Sequence, residues 1–418
     1  MLPDPTLTLT IPSLHDGTVL DCRIYHPASL AARPHTPPWQ RHTAVFAHPY
    51  ATMGGCYDDP IVDFIGDQLL RKGYLLGTFN FRGAGRSAGR TSWTARPERD
   101  DYISFLGFMV YYTHHLNPFG PHTHASLNPH TALSTNQALP EDSSQHQPVL
   151  MMGGYSYGAM ITSRLPPLVD ILEPFTSPAS GSAASQIRLR ATSLAEQQNV
   201  VLSSARTLLG HHRNTSGSKH GIRIGGDEGG GRSPRRSHEG SERRSFSDAE
   251  EKLRRGVNEV LAKTKVGRLI NKLPDKAVIQ SEKHIDPPAD GKLPPLEYLI
   301  IPKPAYLLVS PLHGIATHLT TMSLIPSALL RFKAKTPEEE AAEAKLVQNH
   351  TLAVYGDKDA FMSVGTLRSW TERLTTQEGS QFQGHEIKSA GHFWFEEGVL
   401  YSLVDSVNEF ASKLLETG

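Results

Sequence analysis

The sequence has little of what marks several common classes of protein. Two cysteines, Cys22 and Cys56, in 418 residues cannot build a disulfide framework or a four-thiolate zinc site, which suits a reducing compartment. Charge of either sign is not in excess, since Lys+Arg and Asp+Glu are 42 each. The chain therefore has no overall basic field to hold a nucleic-acid backbone or an anionic bilayer, and no nucleic-acid partner is expected. Long hydrophobic runs are missing too. The longest apolar stretch, Tyr102 to Tyr112, falls short of the ~20 residues that span a membrane. The first twenty residues carry Asp4 and Asp16 and neither the basic nor the apolar part of a secretory signal. A cytoplasmic protein is the expectation.

What is present is an alternation of strand and helix patterns. TLTLTIP and TVLDCRIYHP alternate in polarity around the turn-rich Ser13–Gly17, the pattern of a β-hairpin. TAVFAH (Thr43 to His48), YLLGTFNF (Tyr74 to Phe81) and PVLMMGGY are short apolar runs of the kind that form buried strands. Between the first two, Ile61, Phe64, Ile65 and Leu69 recur at helical spacing up to Gly73, and a second helix is predicted from Arg99 to about His114. The C-terminal part repeats this grammar. Strands are predicted at AYLLVSPL (Ala305 to Leu312), TLAVYG (Thr351 to Gly356) and HEIKSAG (His385 to Gly391), with a closing helix from Val399 to Leu415. Such alternation predicts an α/β protein with a mostly parallel sheet covered by helices on both faces.

The middle of the chain reads differently. Apolar residues are sparse from Arg206 to Ser247, where Gly, Ser and Arg dominate; such chain buries too little surface to offset its entropy, and disorder is predicted over 206–247. The reading of the domains is residues 1–170 and 301–418 as two parts of one α/β domain, with 171–300 inserted between them. A second polar stretch, Asn117 to Gln147, holds His122, His124, His130 and His146. None has an acidic or thiol partner at metal-ligand spacing, so a solvated loop is predicted there, and no metal and no cofactor are expected.

The chemistry lies in three places. Gly154-Tyr155-Ser156-Tyr157-Gly158 falls between a predicted strand and a predicted helix. A nucleophilic serine needs its hydroxyl lifted clear on a tight turn, and the flanking glycines relieve the crowding of backbone that such a turn creates. Asp357 and Asp359 follow the TLAVYG strand, and His392 follows the last strand in a loop read as lying near the surface. The order Ser, Asp, His supplies a nucleophile, a base and an acid to orient the base; the G-x-x-D spacing favours Asp359 over Asp357. The third place is His48-Pro49-Tyr50 at the end of TAVFAH. Proline has no N–H, so Tyr50 is the predicted oxyanion donor, paired with the N–H of Tyr157, while His48 is read as a structural residue that orients the loop. Phe81 to Ser87 looks like a phosphate cradle in isolation but lacks the Lys-Ser/Thr ending of one.

With these residues together the chain resembles the α/β-hydrolase superfamily. It looks most like small, poorly characterised serine hydrolases with an H-P-x-x-x-G-G loop, here His48 to Gly55, an F-R-G-x-G-R-S turn, here Phe81 to Ser87, and the G-x-S-x-G elbow. The resemblance covers roughly residues 40–170 and 300–415 and implies the α/β-hydrolase fold, with Ser156 as nucleophile, His392 as general base and Asp359 as its partner. It departs from that pattern in the long segment from about Leu168 to Lys303.

Two functions compete at this level. A serine hydrolase would cleave a small-molecule ester, thioester or amide through an acyl-enzyme. A non-catalytic scaffold would keep the domain and interact through its charged insert, but it has no chemical need for serine, acid, histidine and donor loop together. Within the insert, 248–272 reads as an amphipathic helix capped by Ser247, with Leu253, Val257, Val260 and Leu261 on one face and Lys252, Arg254, Arg255, Lys263, Lys265 and Arg268 on the other. Packing on the domain, docking on anionic lipid, and regulation by kinases at Arg235-Arg236-Ser237 or Arg243-Arg244-Ser245 are the three uses such a helix suggests.

Overall fold

The computed structural model describes residues 1–30, 39–118, 147–215, 291–312 and 337–417. Most of the polar stretch at 117–147, residues 216–247 and all of 248–272 lie outside the described residues, while 206–215, the start of the stretch predicted to be disordered, belong to a helix that runs over Ala183–Thr215. The chain divides into two compact units, one of residues 1–31, 36–198 and 287–418, the other of 32–35 and 199–286.

The apolar runs form a single eight-stranded sheet. Its strands are β1 (Leu7–Pro12), β2 (Val19–Tyr25), β3 (Thr43–Ala47), β4 (Leu75–Phe79), β5 (Val149–Tyr155), β6 (Lys303–Val309), β7 (Thr351–Gly356) and β8 (Phe382–Ile387). Their order across the sheet is β1-β2-β4-β3-β5-β6-β7-β8. The hairpin β1–β2 and the pair β2–β4 are antiparallel, and every pair from β4 to β8 is parallel. A parallel sheet needs crossovers, and helices supply them. They are α1 (Pro60–Arg71), α2 (Arg96–His115), α3 (Tyr157–Ser163), α4 (Leu168–Thr176), α5 (Ala183–Thr215), α6 (Pro337–Gln348), α7 (Val364–Thr375) and α8 (Val399–Thr417). Strand order and direction are those of the α/β-hydrolase fold.

Local chemistry explains the helix starts. Asp59 caps α1 by accepting from the N–H groups of Ile61 (2.9 Å) and Val62 (3.4 Å), with Pro60 in the first turn where its missing N–H costs nothing. The apolar stripes of α1 and α8 (Ile61, Ile65, Leu403, Phe410) bury into one core with Phe46, Leu76, Met151 and Leu307 on one face of the sheet. Gly77, the next residue along β4, faces the other way and takes Phe105 and Met109 of α2 against its backbone. Both faces are thereby covered.

Several boundaries differ by a few residues from the pattern-based reading, β6 among them at Lys303–Val309 rather than Ala305 to Leu312, and two of the differences bear on the site. The second helix starts earlier, at Arg96. The last strand runs over Phe382–Ile387 rather than His385 to Gly391, because its register with β7 ends at Gly356↔Ile387 and Ser389 turns into the left-handed region at φ 65°. Residues 388–391 therefore leave the sheet and build the site.

Candidate active site

Ser156 sits alone between β5 and α3. Its backbone is held at φ 56°, ψ −111°, a conformation that L residues avoid. The turn is pinned from below by the Ser156 N–H, which donates to the Val309 carbonyl of β6 at 2.8 Å. It is also too tight for side chains at its ends. A Cβ on Gly154 would come within 2.4 Å of the Gly158 carbonyl carbon, and one on Gly158 within 2.5 Å of the Ala47 oxygen at the end of β3. The two glycines thus let the elbow fold on itself and let β3 lie against it.

Asp359 and His392 meet because the turns after β7 and β8 are knitted together. The Ser389 N–H donates to Asp357 Oδ1 at 2.6 Å, and the Lys358 N–H donates to the Ala390 carbonyl at 2.9 Å. Asp357 is thereby occupied in holding the backbone. Asp359 points at the imidazole instead: its Oδ2 is 2.7 Å from His392 Nδ1, and its Oδ1 accepts from the N–H groups of Phe361 (2.8 Å) and Met362 (3.0 Å). His392 Nε2 lies 2.8 Å from Ser156 Oγ. An ionised carboxylate can only accept, so Nδ1 carries the proton and Nε2 is left to accept from the serine hydroxyl. The His392 loop lies at the surface, as expected, but His392 itself turns inward: the residue is 4% exposed and the Asp359 side chain fully buried. What buries it is anchoring that leaves no local sequence signal. Tyr155 donates its hydroxyl to the His392 carbonyl at 2.9 Å, and Trp394 donates its indole N–H to Ser310 Oγ at 3.1 Å.

The other two predicted residues come together as well. The rings of Tyr50 and Tyr157 are 5.0 Å apart, and the N–H of neither donates to another described residue. The N–H of Tyr157 stands at the start of α3 next to Ser156, where a backbone donor is suited to an anionic oxygen. The loop that carries Tyr50 is held by His48, which is wholly buried. Its Nδ1 donates to the Pro49 carbonyl at 2.6 Å and its Nε2 accepts from the Phe81 N–H at 2.9 Å. Burial pushes this imidazole down to about 4, so it remains neutral and keeps Nε2 as an acceptor.

The Phe81–Ser87 turn is not a phosphate cradle. Arg82 is buried and fully engaged, with Asp101 on α2 (2.7 and 3.0 Å), with Asp16 in the β1–β2 turn (3.0 Å) and with Ser13 (3.1 Å). Ser87 bridges the Asp21 N–H and the Asn80 carbonyl. The turn ties the hairpin, β4 and α2 together below the Tyr50 loop. Among the described residues no cluster of His, Cys, Asp or Glu could hold a metal ion, and no helix is long and apolar enough to cross a membrane. The four histidines at 122, 124, 130 and 146 lie outside the described residues.

No protein-family model and no curated protein matches this sequence. Solved structures do. An α/β serine hydrolase homologue from Coxiella burnetii is 12% identical, with 98% of this chain and 99% of that one covered at a TM-score of 0.40. A lid-less α/β serine hydrolase from Xanthomonas campestris is 13% identical, with 99% and 96% covered at 0.42. Est1E from Butyrivibrio proteoclasticus is 9% identical, with 98% and 99% covered at 0.40. Likeness at that level decides nothing by itself; the chain has the α/β-hydrolase fold on the strength of its own strand order and of a serine standing on the turn between β5 and α3.

Proposed function

We propose that this chain is a serine hydrolase that cleaves a carboxylic ester, thioester or amide through an acyl-enzyme. The observation that carries the proposal is the unbroken buried series from Ser156 Oγ to His392 Nε2 (2.8 Å) and from His392 Nδ1 to Asp359 Oδ2 (2.7 Å). In the reaction, Ser156 Oγ bonds to the acyl carbon as its proton passes to Nε2. The oxyanion accepts from the N–H groups of Tyr50 and Tyr157, each such donor being worth roughly 2.7–4 kcal/mol in the transition state. His392 then hands its proton to the departing oxygen, sulfur or nitrogen, which leaves as an alcohol, thiol or amine while the acyl group stays on Ser156. Water repeats the cycle: it gives a proton to His392, bonds to the acyl carbon, and releases a carboxylic acid as Ser156 recovers its proton. Asp359 fixes the tautomer throughout and stabilises the transient imidazolium.

A fluorophosphonate probe tests this directly. The wild-type chain should be labelled and Ser156→Ala should not. Absence of labelling, or labelling that survives the substitution, overturns the proposal.

A further inference from the structure

Three phenylalanines stand in solvent beside this site. Phe361 and Phe393 are each 43% exposed and Phe395 is 84% exposed. They form one continuous row that begins at the imidazole. The Phe361 ring is 4.6 Å from that of His392 and 5.7 Å from that of Phe393, which itself lies 5.4 Å from His392. Phe393 stacks on Phe395 at 5.7 Å with planes 15° apart. A contiguous exposed apolar surface of this kind marks a binding face, since nothing is gained by leaving it in water.

The backbone bears a second, independent sign of constraint. Trp394, between two outward phenylalanines, is held at φ 60°, an outlier for so bulky a residue. Its side chain is 2% exposed and bonded to Ser310. Strain that persists beside a reactive site points to use of what it presents. Here it anchors the indole inward and leaves Phe393 and Phe395 stacked on the outside.

Where the row starts decides what it binds. In the reaction proposed above, His392 Nε2 is the atom that protonates the leaving group, whereas the acyl oxygen turns toward the N–H groups of Tyr50 and Tyr157. Rings packed on the imidazole therefore flank the leaving group. The row ends in Glu396 and Glu397, both exposed, whose charge disfavours an anionic leaving group and an anionic lipid surface alike. We infer that Phe361, Phe393 and Phe395 form a leaving-group subsite, and that the preferred substrates are esters of a bulky apolar or aromatic, non-anionic alcohol. This rests on the hydrolase reading.

The test uses propionate esters of ethanol and of 2-phenylethanol, which share an acyl group and differ in leaving-group bulk. The wild type should favour the phenylethyl ester in kcat/KM by at least about tenfold, the usual scale for filling an apolar subsite. In the double variant Phe393→Ala, Phe395→Ala that ratio should fall close to one, and Phe393→Leu, Phe395→Leu should restore part of it. The ranking of methyl esters from acetate to octanoate should be the same in wild type and variants. An unchanged phenylethyl-to-ethyl ratio in the alanine variant overturns the inference, as does a change in acyl ranking instead. Loss of binding to phosphatidylcholine vesicles with the ratio intact assigns the row to a lipid surface and overturns it too. Turnover without any phenylethyl preference removes the subsite alone; no turnover of any ester and no fluorophosphonate labelling removes the hydrolase reading with it.

Discussion

Lys345 of α6 buries its amine at the end of the elbow helix, where it donates to the Leu165 carbonyl at 2.5 Å and to the Thr162 carbonyl at 2.8 Å. The carbonyls at a helix C-terminus have no partners within the helix and carry its negative end, so a cation there is the natural partner. Burial nevertheless holds the amine well below its ordinary value of 10.5. The folded state then binds fewer protons than the unfolded chain in the window below 10.5, and the contribution to stability rises with pH. Wild type should therefore gain stability relative to Lys345→Met between about pH 8 and about pH 10, read as the difference in urea unfolding free energy. Parallel profiles for the two proteins would show that the amine is not held in this way.

His48 makes the opposite end of the pH range informative. Its folded value of about 4 lies below the ordinary 6.5, so its contribution is complete above 6.5 and lost as pH falls toward 4. Integrated over that window it amounts to about 3 kcal/mol. His48→Gln keeps a donor and an acceptor but does not titrate. The stability gap between wild type and this variant should shrink as pH falls from 6.5 to 4; a gap that holds constant would contradict the buried neutral state.

The two aspartates after β7 divide their work by geometry. Asp359→Asn should lower kcat by on the order of 10³ to 10⁴, because the wrong tautomer then faces Ser156. Asp357→Asn removes charge from the bond to the Ser389 N–H and should act mainly on stability, with a much smaller fall in kcat. Steady-state kinetics on one ester with both variants checks this, and the reverse ranking transfers the acid's role to Asp357.

Ser156 itself carries strain. Ser156→Gly should abolish fluorophosphonate labelling and yet raise the unfolding free energy by about 1 kcal/mol, the relief of the φ 56° conformation outweighing the added entropy of the unfolded chain. A destabilised glycine variant would show that the turn is relaxed.

Much of this was legible in the residues because the signals are local. TLAVYG matches β7 over Thr351–Gly356 end for end, bounded by a glycine that must leave the sheet. The elbow declares itself through glycines two positions either side of the serine. Long-range partners are what local patterns could not supply. Arg82 reads as a possible phosphate ligand until Asp101 and Asp16 are seen to enclose it. His392 reads as a surface residue because the Tyr155 hydroxyl that anchors its carbonyl lies 237 residues away. The exposed row at Phe361, Phe393 and Phe395 shows no periodicity; it exists only through the fold of two loops and one strained tryptophan.

The Tyr155 bond to the His392 carbonyl has a consequence for how this chain can vary. Ser156 and His392 are 236 residues apart in the chain, but the reaction centre is stitched across the successive ends of β5, β6, β7 and β8, through Val309, Ser310, Asp357 and Asp359. Closing a longer loop costs only about 0.6 kcal/mol per doubling of its length. Residues 291–302, ahead of β6, are bonded through Pro178, Ser180 and Arg188 to the unit that carries the sheet. A change in the length of 216–290 is therefore expected to leave serine and histidine in register, and new regulation or new addresses in the cell could be grafted there onto an unaltered chemistry.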